Sequence, residues 1–521
     1  MSDTEGEKLT AAQSAGYTDM APGEFRAAAH EVADLIADYL EHVEQFAVFP
    51  AVEPGSLRSL FPQAPPERPE PLAAILRDVR QLVEPNVTHW QHPGFFAYFA
   101  TTASGAGMLG EFLTAALGSN AMLWRTSPVA TELEQVVVDW LRQGLGLPEG
   151  FDGLITDTAS TSSLIALAAA RQVAGIEAAE EGLAGRPAVP PLRVYASTEA
   201  HSSIEKACMT LGLGRASLVR VPADDAYAMR VDALDRAIAD DRANGRLPIA
   251  IVATLGTTSS TSMDPVAAIA DVAGREGLWL HVDAAYAGAV ALIPERRGPF
   301  AGWERADSIV VNPHKWLFTP LDASLLLTRR MPALRDAFSL VPEYLRTLDR
   351  ATPVRDYNEY TPQLGRRFRA LKLWLQLRWF GLDGLRRRIE RHIAFAQEFK
   401  DWILADPEFE LLAPVPFSTV CFRYRPEGLS GGDAATEAAL DALNARLLDA
   451  VNATGRVFLS HTRLGGRFTI RLAIGNLRTE ERHVRETFDT LRDEASRLDP
   501  SRVGASRVGA SRLDAPDTAG A

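Results

Sequence analysis

Asn312-Pro313-His314-Lys315-Trp316 is the stretch from which the fold is read. It follows Ser308-Ile309-Val310-Val311, a short apolar run of the kind that forms a buried strand, and Pro313 keeps a helix from starting before the lysine. Lys315 is therefore expected on a stiff turn at a strand end, where an amine can be aimed. Earlier in the chain, Leu278-Trp279-Leu280-His281-Val282-Asp283 is a second apolar run ending in a carboxylate, followed by the small residues Ala284 and Ala285. Two neighbouring strand ends then carry one lysine and one aspartate.

A lysine that condenses with an aldehyde and an acid that pairs with a pyridinium nitrogen are the groups that pyridoxal phosphate requires. For an arbitrary lysine, a buried Lys/Asp ion pair is the plainer alternative. The runs HVDAAYAG, from His281 to Gly288, and NPHKW, from Asn312 to Trp316, resemble the pyridoxal-phosphate-dependent aromatic L-amino-acid decarboxylases, the group II decarboxylases. Further matches extend from Phe25 to Val484. The resemblance implies a fold type I enzyme with Lys315 as the cofactor's lysine and Asp283 opposite the ring nitrogen.

With 521 residues, 46% of them apolar and 23% charged, the chain has the make-up of a soluble enzyme of more than one domain. A net charge of -13 argues against nucleic acid or an anionic membrane as the main partner. Cys208 and Cys421 are the only cysteines, and neither lies in a metal-ligand or C-x-x-C spacing. The polar start Met1-Ser2-Asp3-Thr4-Glu5 lacks a signal-peptide pattern, and no run is long and apolar enough to span a bilayer. A cytoplasmic enzyme without a metal is the expectation.

Residues 1–20 are polar and small and are expected to be disordered. In residues 21–100, Phe25, Val32, Leu35, Ile36, Tyr39, Leu40 and Val43 recur at helical spacing; a proline-rich connection and a second helix near Leu72 to Leu82 follow. Two helices on so extended an arm have little core of their own. The resemblance, which includes Val52-Glu53-Pro54-Gly55, implies that the arm packs across a homodimer; folding back on its own subunit is the alternative. The aromatic cluster from Trp90 to Phe99 suits core packing by composition. The resemblance instead implies a substrate entrance, with Trp90, Tyr98 and Thr101 as substrate-binding residues.

Residues 101–370 are expected to form a large cofactor-binding domain. Gly105-Ala106-Gly107-Met108-Leu109-Gly110 fits a dinucleotide fingerprint, yet no βαβ pattern surrounds it, and close packing of a helix explains the small residues. Thr158 to Thr161 precede a strongly helical run and offer capping oxygens and free N–H groups at a helix start, a setting that suits either an ordinary cap or a phosphate. The resemblance implies phosphate binding by Ala159 and Ser160, although Asp157 and Thr161 depart from the family's usual glycine and glutamate. It likewise implies that His201 stacks on the cofactor and faces the substrate, that Thr258 contacts the cofactor, and that Asn312 and His314 steady the lysine turn. Repeated strand–helix–strand patterning predicts an α/β fold: a mostly parallel central sheet wrapped by helices, with functional groups at the strands' carboxyl ends.

Asp322 to Thr328 reads as an edge or return strand, and Pro342 to Glu359 as a mobile loop. Counting back from Leu364-Gly365-Arg366-Arg367-Phe368-Arg369, the resemblance places Tyr357 on the tyrosine that protonates the intermediate. Phenylalanine there marks relatives that make aldehydes. Residues 371–498 are expected to form a smaller α+β domain, and the repeats after residue 498 a disordered tail. The implied reaction is decarboxylation of an aromatic L-amino acid of the tryptophan, phenylalanine, tyrosine or DOPA type by Lys315, Asp283, His201 and Tyr357. Asn120 and Met122 are expected near the substrate side chain. The competing readings are decarboxylation of histidine, glutamate or 2,4-diaminobutyrate, and aldehyde synthesis on the same fold.

Overall fold

The computed structural model describes residues 8–340, 354–429 and 432–498. The tail after residue 498 and most of the loop expected to be mobile lie outside the described residues. By packing, the chain forms two compact units. One comprises Met1–Phe96, Ala445–Leu459 and Arg478–Ala521; the other comprises Ala97–Asn444 and Ser460–Leu477.

In the first unit, the stretch expected to be disordered up to residue 20 contains a short helix, Ala11–Ala15, held by a capping box between Thr10 and Gln13. The amphipathic pattern from Phe25 onward forms the helix Pro22–His42, started by Pro22. None of its residues is buried, and Phe25, Val32 and Ile36 are exposed. The second helix, Leu72–Asp78, also buries nothing.

The second unit is built on seven strands: β1 (Asp152–Thr156), β2 (Leu192–Ser197), β3 (Leu218–Val221), β4 (Leu247–Thr254), β5 (Trp279–Asp283), β6 (Ser308–Val311) and β7 (Ser324–Thr328). Their order is β1-β7-β6-β5-β4-β2-β3, with only β7 antiparallel to its neighbours. The return strand expected at Asp322 to Thr328 is thus interior, between β1 and β6, and not at an edge. Its Leu325-Leu326-Leu327 run is buried on both sides, the signature of a central strand.

Alternate residues of β4 enter opposite cores. Ile251 and Ala253 pack with Val282 and Ile309, while Ala250 and Val252 pack with Ile165 and Ile204. Helices cover both faces, so the apolar runs read in the sequence are continuous where a one-sided sheet would alternate. Burying each large aliphatic side chain contributes roughly 1.5–3 kcal/mol, which pins the strand register.

The glycine-rich run at Gly105 forms the first turns of the helix Gly105–Leu117, whose N-cap Ser104 accepts the Gly107 N–H. A Cβ on Gly107 meets the Pro320 ring, and one on Gly110 meets the backbone of Lys372, in the long helix Arg369–Ala405. Close helix packing accounts for the small residues. A second sheet, β8 (Phe409–Leu411), β9 (Thr419–Tyr424), β10 (Ser460–Leu464) and β11 (Arg467–Ala473), is antiparallel in the order β10-β11-β9-β8. It supplies the strands expected after residue 371.

Candidate active site

The carboxyl ends of β4, β5 and β6 lie side by side, with Thr254 paired to Asp283 and Asp283 to Val310. Since β7 is antiparallel to both β6 and β1, the end of β1 points the same way. A cavity of about 220 Å³ opens at this edge. It is lined by Ala159, Ser160, His201, Thr258, Asp283, Asn312, His314 and Lys315, which are all the cofactor residues expected from the sequence. Phe99, Tyr286 and Thr254 add walls that the sequence reading did not single out.

The lysine turn is stiff for identifiable reasons. Asn312 N–H donates to the Ala285 carbonyl at 3.0 Å, and Lys315 N–H donates to the Asn312 carbonyl at 3.0 Å. Ala323 N–H donates to His314 Nδ1 at 3.0 Å, fixing that imidazole. Trp316 stacks on Tyr286 at 4.6 Å and donates from its indole to His392 Nδ1 at 2.9 Å.

Burial lowers the proton affinity of Lys315; Asp283 opposes the shift, and the Arg471 guanidinium reinforces it. A buried amine held toward its neutral form is a better nucleophile. Burial, helped by Lys315, pushes His314 down to about 3, so it is neutral at ordinary pH. His201 is also lowered by burial, with Asp283 opposing and Lys315 assisting. Its Nδ1 accepts the Ser203 N–H at 3.1 Å, so His201 caps the helix Ser202–Thr210 while it lines the cavity.

Thr158 caps the helix Ala159–Val173 by accepting the Thr161 N–H, leaving the first-turn amides directed at the cavity end. Thr156, Ser162 and Ser324 hydrogen-bond to one another and bind this helix start to β1 and β7. Asp157 accepts the Thr158 N–H at 2.6 Å and does not line the cavity, which resolves the presence of a carboxylate next to an anion site.

The structure does not bring every expected residue to the cavity. Tyr357 is buried in the core, with the Arg366 guanidinium 4.3 Å from its ring centre and that of Arg355 at 5.6 Å. Burial raises its pKa, and Glu134 adds to the rise. Thr101 and Tyr98 are absent from the lining, and Tyr98 is 55% exposed. Asn120 and Met122 are bonded to each other, Nδ2 to Sδ at 3.5 Å, and also lie off the cavity. Trp90 belongs to the first unit and stacks on Phe95 at 4.3 Å.

Two buried acceptor atoms on the cavity residues, Asn312 Oδ1 and Thr254 Oγ1, have no hydrogen-bond partner among the described residues. Left unpaired they are costly, so they call for a polar guest. A helix start for a phosphate, a carboxylate for a protonated ring nitrogen and an activated amine for an aldehyde are the complement of pyridoxal phosphate.

A doubly wound sheet presenting this set at one edge defines a pyridoxal-phosphate enzyme. Over residues 54–425 the chain matches the family described as pyridoxal-dependent decarboxylase conserved domain, and it belongs to that family of carboxy-lyases. It is 42% identical to a phenylacetaldehyde synthase of Arabidopsis thaliana, covering 90% of this chain and 95% of that one. Identity to tryptophan decarboxylase 2 of Oryza sativa subsp. japonica is 40%, covering 91% and 95%. The crystal structure of Oryza sativa TDC with PLP and tryptamine superposes with a TM-score of 0.88 at 37% identity, covering 92% of this chain and 99% of that one.

Proposed function

We propose that the protein decarboxylates an aromatic L-amino acid of the tryptophan, phenylalanine, tyrosine or DOPA type to the arylalkylamine and carbon dioxide, acting as a homodimer. The observation that carries this reading is the single cavity joining Lys315, Asp283, His201 and the Ala159–Ser160 helix start beneath the aromatic walls Phe99 and Tyr286. The relatives' names, tryptophan decarboxylase among them, and the tryptamine in the rice crystal structure support it.

Pyridoxal phosphate supplies the electron sink for the pair left when carbon dioxide departs. The Ala159 and Ser160 amides would hold its phosphate, Asn312 and His314 fix the lysine turn, and Asp283 would keep a proton on the ring nitrogen by charge attraction. Lys315 offers an amine that burial shifts toward its neutral form, and His201 orders the ring stack and faces the substrate. Tyr357 gives the proton to the α-carbon, which requires the Tyr357–Tyr360 turn to leave its packing against Arg366. The exposed helix Pro22–His42 supports a dimer, because its apolar side is uncovered in one chain.

A second reading, synthesis of an aromatic aldehyde, is favoured by the similarity to phenylacetaldehyde synthase. The tyrosine at position 357 favours the amine. Incubating the purified enzyme with a panel of L-amino acids, and measuring carbon dioxide, amine, aldehyde and peroxide, decides between them. An arylalkylamine matching the carbon dioxide released is expected. Aldehyde with peroxide, or turnover confined to histidine, glutamate or 2,4-diaminobutyrate, overturns the proposal.

A further inference from the structure

Arg471 stands out because it is 3% exposed and, among the described residues, no carboxylate is bonded to it. Its charge is met by weaker partners. Nε donates to the Ser259 carbonyl at 3.1 Å, Nη1 donates to the Tyr98 carbonyl, and the guanidinium lies 4.5 Å from the Phe99 ring centre. Nη2 is buried without a hydrogen-bond partner among the described residues. A desolvated charge in so lean a setting is costly, and such sites persist where the residue does something a neutral side chain does not.

Tyr98 shows what that is. Its φ is +52°, a left-handed conformation that a tyrosine adopts only when its surroundings impose it. Its N–H donates to Ser460 Oγ at 3.2 Å and its carbonyl accepts from Arg471. Ser460 and Arg471 face each other across β10 and β11, so one cross-strand pair grips both backbone groups of the strained residue. Cys421, the partner of Arg471 on β9, donates to the same Ser259 carbonyl at 3.2 Å. One row of the small sheet therefore ties down the Tyr98–Phe99 segment and the loop carrying Thr258.

The next residue along is the cavity wall. Phe99 stacks on Tyr286 at 3.7 Å, and Lys315 Nζ lies 5.3 Å from its ring centre. We propose that Arg471 is a positioning residue for substrate selection: with Ser460 it latches Tyr98 in its strained form, and so holds the Phe99 ring against Lys315 as a wall for the substrate. The inference rests on the reading of this cavity as the decarboxylase active site.

The test uses holoenzyme and a thermodynamic cycle. Wild type must first show the visible absorbance of lysine-bound cofactor and turn over an aromatic L-amino acid; failure there brings down the site reading itself. Given that, Arg471→Met is expected to keep the absorbance but raise KM about tenfold or more, with a smaller change in kcat. Tyr98→Gly removes the strain, because glycine accepts a positive φ, so adding Arg471→Met to Tyr98→Gly should cost about threefold or less. Ser460→Ala, which touches no charge, should raise KM about threefold with kcat unchanged, and it serves if Arg471→Met fails to fold. A KM within about twofold of wild type in Arg471→Met, or in Ser460→Ala where that variant alone folds, overturns the latch. Equal losses from Arg471→Met in the tyrosine and glycine backgrounds overturn it too.

Discussion

Glu134 and Arg366 form a buried ion pair, Oε1 to Nη2 at 2.7 Å, with both side chains 2% exposed. The same carboxylate oxygen accepts the Ile155 N–H at 2.8 Å, and the same guanidinium nitrogen donates to the Ile155 carbonyl at 2.9 Å. The pair thus joins the helix Pro128–Gly144 and β1 to the Leu364–Arg369 segment, and its guanidinium covers Tyr357. Removing one partner leaves a buried charge, so Glu134→Ala should cost roughly 3–5 kcal/mol in denaturant unfolding. The double variant Glu134→Leu/Arg366→Met should lose less. A loss below about 1 kcal/mol in the single variant would mean that water reaches the arginine.

Lys315→Ala removes the one amine at the cavity floor. Both the visible absorbance of bound cofactor and turnover should vanish, while the far-ultraviolet circular dichroism stays that of wild type. Turnover retained above about a thousandth of wild type would take the nucleophile role from Lys315.

Tyr357→Phe removes a hydroxyl and keeps the ring beneath Arg366, so the fold should tolerate it. Amine release should fall and the aldehyde share of the product should rise. An unchanged amine-to-aldehyde ratio takes Tyr357 out of the chemistry.

His281 is sealed in β5 between Ser163 Oγ at 3.2 Å and Ser308 Oγ at 2.9 Å, and burial pushes its pKa down to about 4 against the pull of Asp283. In the unfolded chain the imidazole titrates near ~6.5, so there it takes up its proton first as the pH falls. Its stability contribution is complete above about pH 6.5 and is lost progressively toward about pH 4. The depressed value corresponds to roughly 3 kcal/mol, of which about 2 kcal/mol is gone by about pH 5. Stability measured by denaturant should therefore fall from pH 7 to 5, and His281→Asn should flatten that slope. An identical slope in the variant would assign the acid sensitivity elsewhere.

Val32 and Ile36 are exposed on a helix that buries nothing in one chain. With the proposed homodimer seated on this helix, Ile36→Asp should shift the light-scattering mass at micromolar concentration from dimer to monomer, since a charge in an apolar interface is strongly disfavoured. A variant that stays dimeric would place the contact on another surface.

Sequence alone determined the strands of the cavity edge. Apolar runs marked β4, β5 and β6 because strands buried on both faces have no polar alternation, and the cavity residues Thr258, Asp283 and Lys315 lie at the ends of these runs or within four residues beyond them. Ala159, Ser160 and His201 sit at helix starts, where local rules left an ordinary cap and a ligand contact equally open, and the family resemblance pointed to the second. Tertiary structure decided what depends on distant partners. Nothing local marks Leu325-Leu326-Leu327 as interior, since an edge strand and a central return strand read alike until the neighbouring strands are placed. Arg471 looked like any strand arginine, and by composition Phe99 suited core packing, because a buried charge or a cavity wall is defined by what faces it. The family resemblance, counted back from Leu364, pointed to Tyr357 as the proton donor, yet its burial beneath Arg366, away from the cavity, follows from an ion pair whose partner, Glu134, lies far away along the chain. Patterning specifies which side chains leave water; only the packed chain specifies which of them meet.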